Sequence, residues 1–143
     1  MTKVLFVCVE NAGRSQMAEA FANLHGEGKV KAFSAGTMPS NNIYSSIVKT
    51  MQEKGIDISK NKPKLLTTEM LQNADIVVVM GCEAKGFCST YLLKKVVDWG
   101  LEDPKGRPIE EVRRIGDEIE SKVIELVLDL NIQKKFADEE SVS

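Results

Sequence analysis

Short, continuous apolar runs alternate along this chain with apolar residues at helical spacing. Val4-Leu5-Phe6-Val7 is apolar throughout, with β-branched and aromatic content, which predicts a buried strand. Gln16 to Leu24 places Met17, Ala20, Phe21 and Leu24 on one helix face, closed by Gly26 and Gly28. Lys29 to Ser34 alternates polar and apolar residues and predicts a second strand, halted at Gly36. Pro39-Ser40-Asn41-Asn42 predicts the start of another helix, with Ile43, Ile47, Val48 and Met51 inward and Gly55 at its end. Ile56 to Lys64 reads as an extended link, and Thr67-Thr68-Glu69 opens a brief helix through Leu71. Ala74 to Met80 is the clearest buried strand, and Val96-Val97 predicts a short last one. From Pro108, at the favoured first helical position, one apolar face runs through Ile109, Val112, Ile115, Ile119, Val123, Leu126 and Val127 to about Leu130.

Strands alternating with helices imply an α/β fold: a four-stranded parallel sheet with right-handed crossovers and helices on both faces. Ligands of such sheets bind at the carboxyl ends of the strands. Cys8 falls at one such end, and Gly81-Cys82 follows the Ala74–Met80 strand to the same edge.

Composition narrows the function class. The 143 residues suit one domain, expected over residues 1–135, with an acidic, small-residue tail at 136–143 expected to be disordered. A net charge of −2 with interspersed signs gives no basic footprint for nucleic acid. There is no 18-residue apolar run to span a membrane, and Met1-Thr2-Lys3 leads straight into a strand without a cleavage-site pattern. A cytoplasmic monomer is the expectation. Three cysteines, Cys8, Cys82 and Cys88, are an odd count for a disulfide framework. With His25 as the single histidine and no tight cysteine pair, they do not make a zinc site either, and no metal is expected. His25 itself reads as a capping or surface residue near a helix C-terminus, and Trp99 as core. Redox or nucleophilic chemistry is the better use of the thiols.

The chemistry concentrates in Cys8-Val9-Glu10-Asn11-Ala12-Gly13-Arg14-Ser15. A strand feeding a helix through a tight loop aims backbone N–H groups at one point, which suits an anion. A thiol held there is expected to ionise readily. Arg14 closes the ring with a planar fork matched to a tetrahedral oxyanion. Gly13 is expected to allow close backbone approach, Asn11 to take left-handed φ or to tie the loop, and Ser15 to donate its hydroxyl to sulfur.

This loop resembles the signature of the low-molecular-weight protein tyrosine phosphatase superfamily: Cys, two residues, Asn, two residues, Arg, Ser. Its continuation Ser15-Gln16-Met17-Ala18-Glu19 is similar to the arsenate reductases of that superfamily. Ser34-Ala35-Gly36-Thr37, Gly55-Ile56-Asp57-Ile58-Ser59, Ala74-Asp75-Ile76-Val77-Val78 and Trp99-Gly100-Leu101-Glu102-Asp103-Pro104 resemble further family segments in the same order, over about residues 3 to 130. The resemblance implies that fold. It implies Cys8 as nucleophile, Arg14 with the loop amides of residues 9–15 as oxyanion site, and Asp103 as general acid. It also implies Cys82 and Cys88 as a thiol relay ending on thioredoxin or a small thiol, with no tightly bound cofactor. Lys64 stands where some reductases carry an acidic residue for potassium, which implies no strong potassium site. Lys105 and Gly106 replace the aromatic pair that follows Asp-Pro in the phosphatases, which favours a small inorganic oxyanion such as arsenate or phosphate over a phosphotyrosine.

Three readings follow. The first is arsenate reduction by a cysteine relay. The second is phosphomonoester hydrolysis by Cys8, Arg14 and Asp103 through a phosphocysteine. The third is an oxyanion- or redox-sensing module that binds without turnover.

Overall fold

The computed structural model describes residues 1–81 and 95–142. Four strands, β1 (Thr2–Cys8), β2 (Val30–Gly36), β3 (Ile76–Val79) and β4 (Lys95–Asp98), form one all-parallel sheet in the order β2-β1-β3-β4. The helices are α1 (Arg14–His25), α2 (Ser45–Glu53), α3 (Thr68–Asn73) and α4 (Ile109–Val142). The sheet is the predicted one, and helices cover both faces.

The two faces follow from strand alternation. Val4, Phe6 and Cys8 of β1 and Ile76 and Val78 of β3 face a core shared with Met17, Phe21, Ile47, Met51, Val112, Ile115 and Ile119 of α1, α2 and α4. Leu5, Val7, Val77 and Val79 face the other side, where Leu71 of α3 covers them together with Leu66 and Ala74. A parallel strand buried on both faces needs apolar residues at every position, hence the unbroken run at Val4–Val7. In register, Cys8 sits opposite Gly36 at the carboxyl edge. Beyond β3, Met80 N donates to Val7 O at 2.9 Å, so the chain leaves toward the same edge at the buried Gly81.

Two elements differ from the sequence pattern. Helix α2 begins at Ser45 rather than near Pro39, with Tyr44 as an extended N-cap. Residues 37–44 do not form the predicted first turns because their amides are used elsewhere. Thr37, Met38, Ser40 and Tyr44 donate to the carbonyls of Cys8, Val9, Glu10 and Ala12 at 2.8 to 3.1 Å. Helix α4 runs on to Val142, through the stretch expected as a disordered tail. No glycine or proline follows Gly116 to stop it, and Lys, Ala and Glu there are good helix formers. The brief helix α3 matches its signal, since the Thr67 side chain caps it by accepting from Met70 N at 3.2 Å.

Candidate active site

The loop between β1 and α1 is shaped by what holds its carbonyls. The strap at residues 37–44 takes those of Cys8, Val9, Glu10 and Ala12, and Gln16 Nε2 takes that of Asn11 at 3.2 Å. In a trans peptide the C=O of one residue and the N–H of the next point in opposite directions. Five carbonyls turned outward therefore turn the amides of Val9, Glu10, Asn11, Ala12 and Gly13 inward. The amide of Asn11 verifies the inference: it donates to Cys8 Sγ at 3.2 Å. The N-terminus of α1 adds its uncapped first turn and the positive end of its dipole.

Asn11 holds this shape. It is fully buried and adopts φ +52°, the one positive φ among the described non-glycine residues. Its Nδ2 donates to Ser15 Oγ at 2.7 Å, and its Oδ1 accepts from Lys64 N at 2.9 Å and from Gln16 Nε2 at 3.1 Å. Both roles anticipated for Asn11 are thus filled by one residue. Ser15 Oγ, which accepts from Asn11 Nδ2, lies 2.8 Å from Cys8 Sγ; its O–H is the donor when the sulfur is a thiolate, which can only accept. The buried sulfur therefore sits among donors.

Arg14 is buried, and its Nη1 donates to Leu101 O at 2.8 Å. This bond joins the loop to the segment after β4, itself fastened to the sheet edge by Trp99 N to Val79 O and Leu101 N to Met80 O. That segment carries Asp103 to the mouth. Cys8, Val9, Glu10, Ala12, Gly13, Arg14, Tyr44 and Asp103 line one pocket of about 20 Å³. Sites for drug-sized ligands occupy hundreds of Å³, so this one suits a single small group. The Asp103 carboxylate is exposed, and its Oδ1 accepts from Lys105 N at 3.0 Å.

Among protein contacts, the crowded glycine at this loop is Gly36 rather than Gly13. A Cβ at Gly13 would make ordinary contacts with Pro104, Tyr44 and Ile47. A Cβ at Gly36 would collide with Val9 O and stand 2.9 Å from Asn11 N, because the strand pairs directly beneath the loop. Behind the loop, Glu19 of α1 accepts from Ser34 Oγ at 3.1 Å. Burial pushes its carboxyl above the ordinary range, opposed by the Lys64 charge and the Ser34 hydrogen bonds.

The other candidates fall as follows. Cys82 and Cys88 lie outside the described residues. His25 ends α1, far along the helix from Cys8, and its Nε2 lies 2.9 Å from Glu120 Oε2. Trp99 packs on the core with its ring 5.7 Å from that of Phe6. Among the described residues no cluster of three or more His, Cys, Asp or Glu is arranged to hold a metal, and no helix is long and apolar enough to cross a membrane. Sequence reasoning missed the strap, Tyr44 in the pocket wall, and the Lys105 ammonium 2.9 Å from Glu10 Oε1. The proline and asparagines of the strap mimic a helix start, and nothing local pairs Glu10 with a residue 95 positions away.

Known proteins share this arrangement. The family model described as low molecular weight phosphotyrosine protein phosphatase matches residues 3–137. A Halobacterium salinarum protein named "Putative arsenate reductase" is 39% identical over 135 residues, covering 91% of this chain and 94% of its own. Arsenate reductase 1 of Staphylococcus epidermidis is 36% identical over 122 residues, covering 84% and 91%. Among solved structures, the YwlE arginine phosphatase of Geobacillus stearothermophilus superposes with a TM-score of 0.85 at 26% identity, over 94% of this chain and 96% of its own. The thioredoxin-dependent arsenate reductase Cg_ArsC1' of Corynebacterium glutamicum gives 0.79 at 34% identity, over 93% of this chain and 63% of its own. With its cysteine loop, parallel sheet and matched span in agreement, the chain belongs to the low molecular weight phosphotyrosine protein phosphatase family.

Proposed function

We propose that this protein reduces arsenate to arsenite through a cysteine relay. The observation that carries the reading is the donor-lined Cys8 sulfur in a small pocket that Arg14 and Asp103 also line. It is supported by two further cysteines, the first directly after Gly81 in the sequence, and by the identity with proteins named arsenate reductase.

Arsenate sits on the inward amides with Arg14 against its oxygens. The Cys8 thiolate attacks arsenic, and Asp103 protonates the oxygen that leaves as water, giving a Cys8–arsenic bond. Cys82 then attacks the Cys8 sulfur. The sulfur–arsenic bond breaks, its electron pair stays on arsenic, and arsenite departs as a Cys8–Cys82 disulfide forms. The two thiols have supplied the two electrons. Cys88 next attacks Cys82, freeing Cys8 and leaving a Cys82–Cys88 disulfide for an external dithiol of the thioredoxin type. Such exchange requires the paired Cα atoms to come within about 7 Å at each stage.

Hydrolysis of a phosphomonoester is the second reading, favoured by the fit to an arginine phosphatase and by the fact that Cys8, Arg14 and Asp103 suffice for it. Arsenite release with a dithiol reductant separates the two. The relay requires that Cys82→Ser and Cys88→Ser abolish multiple turnover while each keeps p-nitrophenyl phosphate hydrolysis. Arsenite released by Cys82→Ser at the wild-type rate sinks the relay.

A further inference from the structure

Lys105 follows Asp103-Pro104 and reaches back across the pocket mouth. Its amide donates to Asp103 Oδ1 at 3.0 Å, while its ammonium lies 2.9 Å from Glu10 Oε1 and 5.8 Å from the centre of the Tyr44 ring. Glu10, Tyr44 and Asp103 all line the pocket that Cys8 floors. A loop built to surround an anion therefore carries a carboxylate on its own rim.

We infer that Lys105 is the charge-balancing residue of this site: by pairing with Glu10 over Tyr44 it cancels the repulsion Glu10 exerts on an incoming oxyanion, so the pair sets the affinity of the mouth for doubly charged tetrahedral oxyanions. The inference rests on the oxyanion reading of the Cys8 loop and not on arsenate being the substrate. The pair is half exposed, with side-chain accessibilities of 57% for Lys105 and 32% for Glu10. Such pairs contribute little to folding, so their effect should appear in binding. A unit charge in the watery mouth, near the seat of a dianion, changes its affinity roughly three- to tenfold.

The test is the affinity of the full chain for inorganic phosphate, by titration calorimetry at about 20 mM and about 0.5 M salt, where screening differs strongly. Lys105→Met keeps the stem and removes the charge, and should weaken phosphate binding about three- to tenfold. Glu10→Gln leaves the ammonium unopposed and should tighten it. The double variant should return to within about twofold of wild type, Lys105→Arg should bind as wild type, and all differences should shrink at high salt. A structural role would weaken binding in both single variants, and that result, or an unchanged Lys105→Met, overturns the inference. Failure of arsenate reduction with the phosphate series intact removes only the substrate reading. A wild type that binds no phosphate removes the oxyanion site and this inference together.

Discussion

Replacing Asn11 tests whether one buried amide organises the whole site. In Asn11→Ala three hydrogen bonds vanish, but the groups left behind differ in consequence. Gln16 Nε2 keeps Asn11 O and Lys62 O as acceptors. Lys64 N loses its acceptor and Ser15 Oγ its donor, Ser15 being fully buried. The stranded Lys64 N–H costs roughly 1–3 kcal/mol, and Ser15 Oγ, which keeps Cys8 Sγ, loses one hydrogen bond of about 1 kcal/mol. Alanine at φ +52° adds about 1 kcal/mol more. The total expected in urea unfolding is roughly 3–5 kcal/mol for Asn11→Ala. Asn11→Gly loses the same hydrogen bonds without the side-chain clash, so it should be at least as stable as Asn11→Ala, by up to about 0.5 kcal/mol once its looser unfolded chain is counted. Turnover should fall in both, because the Ser15 hydroxyl is then free to rotate away from sulfur. Stability of Asn11→Ala within about 0.5 kcal/mol of wild type, the range of an ordinary surface change, would refute the reasoning.

Ser15→Ala removes the 2.8 Å contact to Cys8 Sγ and should lower turnover about tenfold, the equivalent of one hydrogen bond; it also strands the buried Asn11 Nδ2, which should lower stability by roughly 1–3 kcal/mol in urea unfolding. Steady-state rates on p-nitrophenyl phosphate measure the loss of turnover. Gly36→Ala drives a methyl into Val9 O and should destabilise by about 1–3 kcal/mol while weakening phosphate binding; a variant with wild-type melting and phosphate affinity would show that β2 does not brace the loop. Glu19 is held above its ordinary carboxyl range by burial, so the fold favours its protonated form. Its stabilising contribution is complete below the ordinary value of 4.5 and is lost as pH rises through the higher folded value. Glu19→Gln should therefore gain stability relative to wild type on going from mildly acidic to neutral pH, read from paired denaturation curves. Phe21, fully buried in the core cluster shared by α1, α2 and α4, should cost about 3–5 kcal/mol on truncation to alanine, seen in the same unfolding assay.

Some of this protein was decided by local sequence. The unbroken run Val4–Val7 and the run from Ala74 can be satisfied only by strands buried on both faces, and strands alternating with helices leave a parallel sheet. The order Cys8…Asn11…Arg14-Ser15 fixes which donors are available within one turn of chain, so the sulfur, the arginine and the serine hydroxyl are legible in the sequence alone. What local pattern does not encode is contact between distant segments. Pro39 to Asn42 carries helix-start chemistry, yet its backbone serves the loop's carbonyls, because those outward carbonyls need donors and the strap lies beside them. The crowded glycine is Gly36 and not Gly13, since pairing of β1 with β2 places it under Val9. Arg14 reaches Leu101 and Lys105 reaches Glu10 only after the sheet brings both carboxyl-end loops together. Covalent neighbours and periodicity determine which elements form; the inward turn of the amides, the reach of Asp103 and the charge on the rim depend on packing between segments up to 95 residues apart, and so were settled by the tertiary fold.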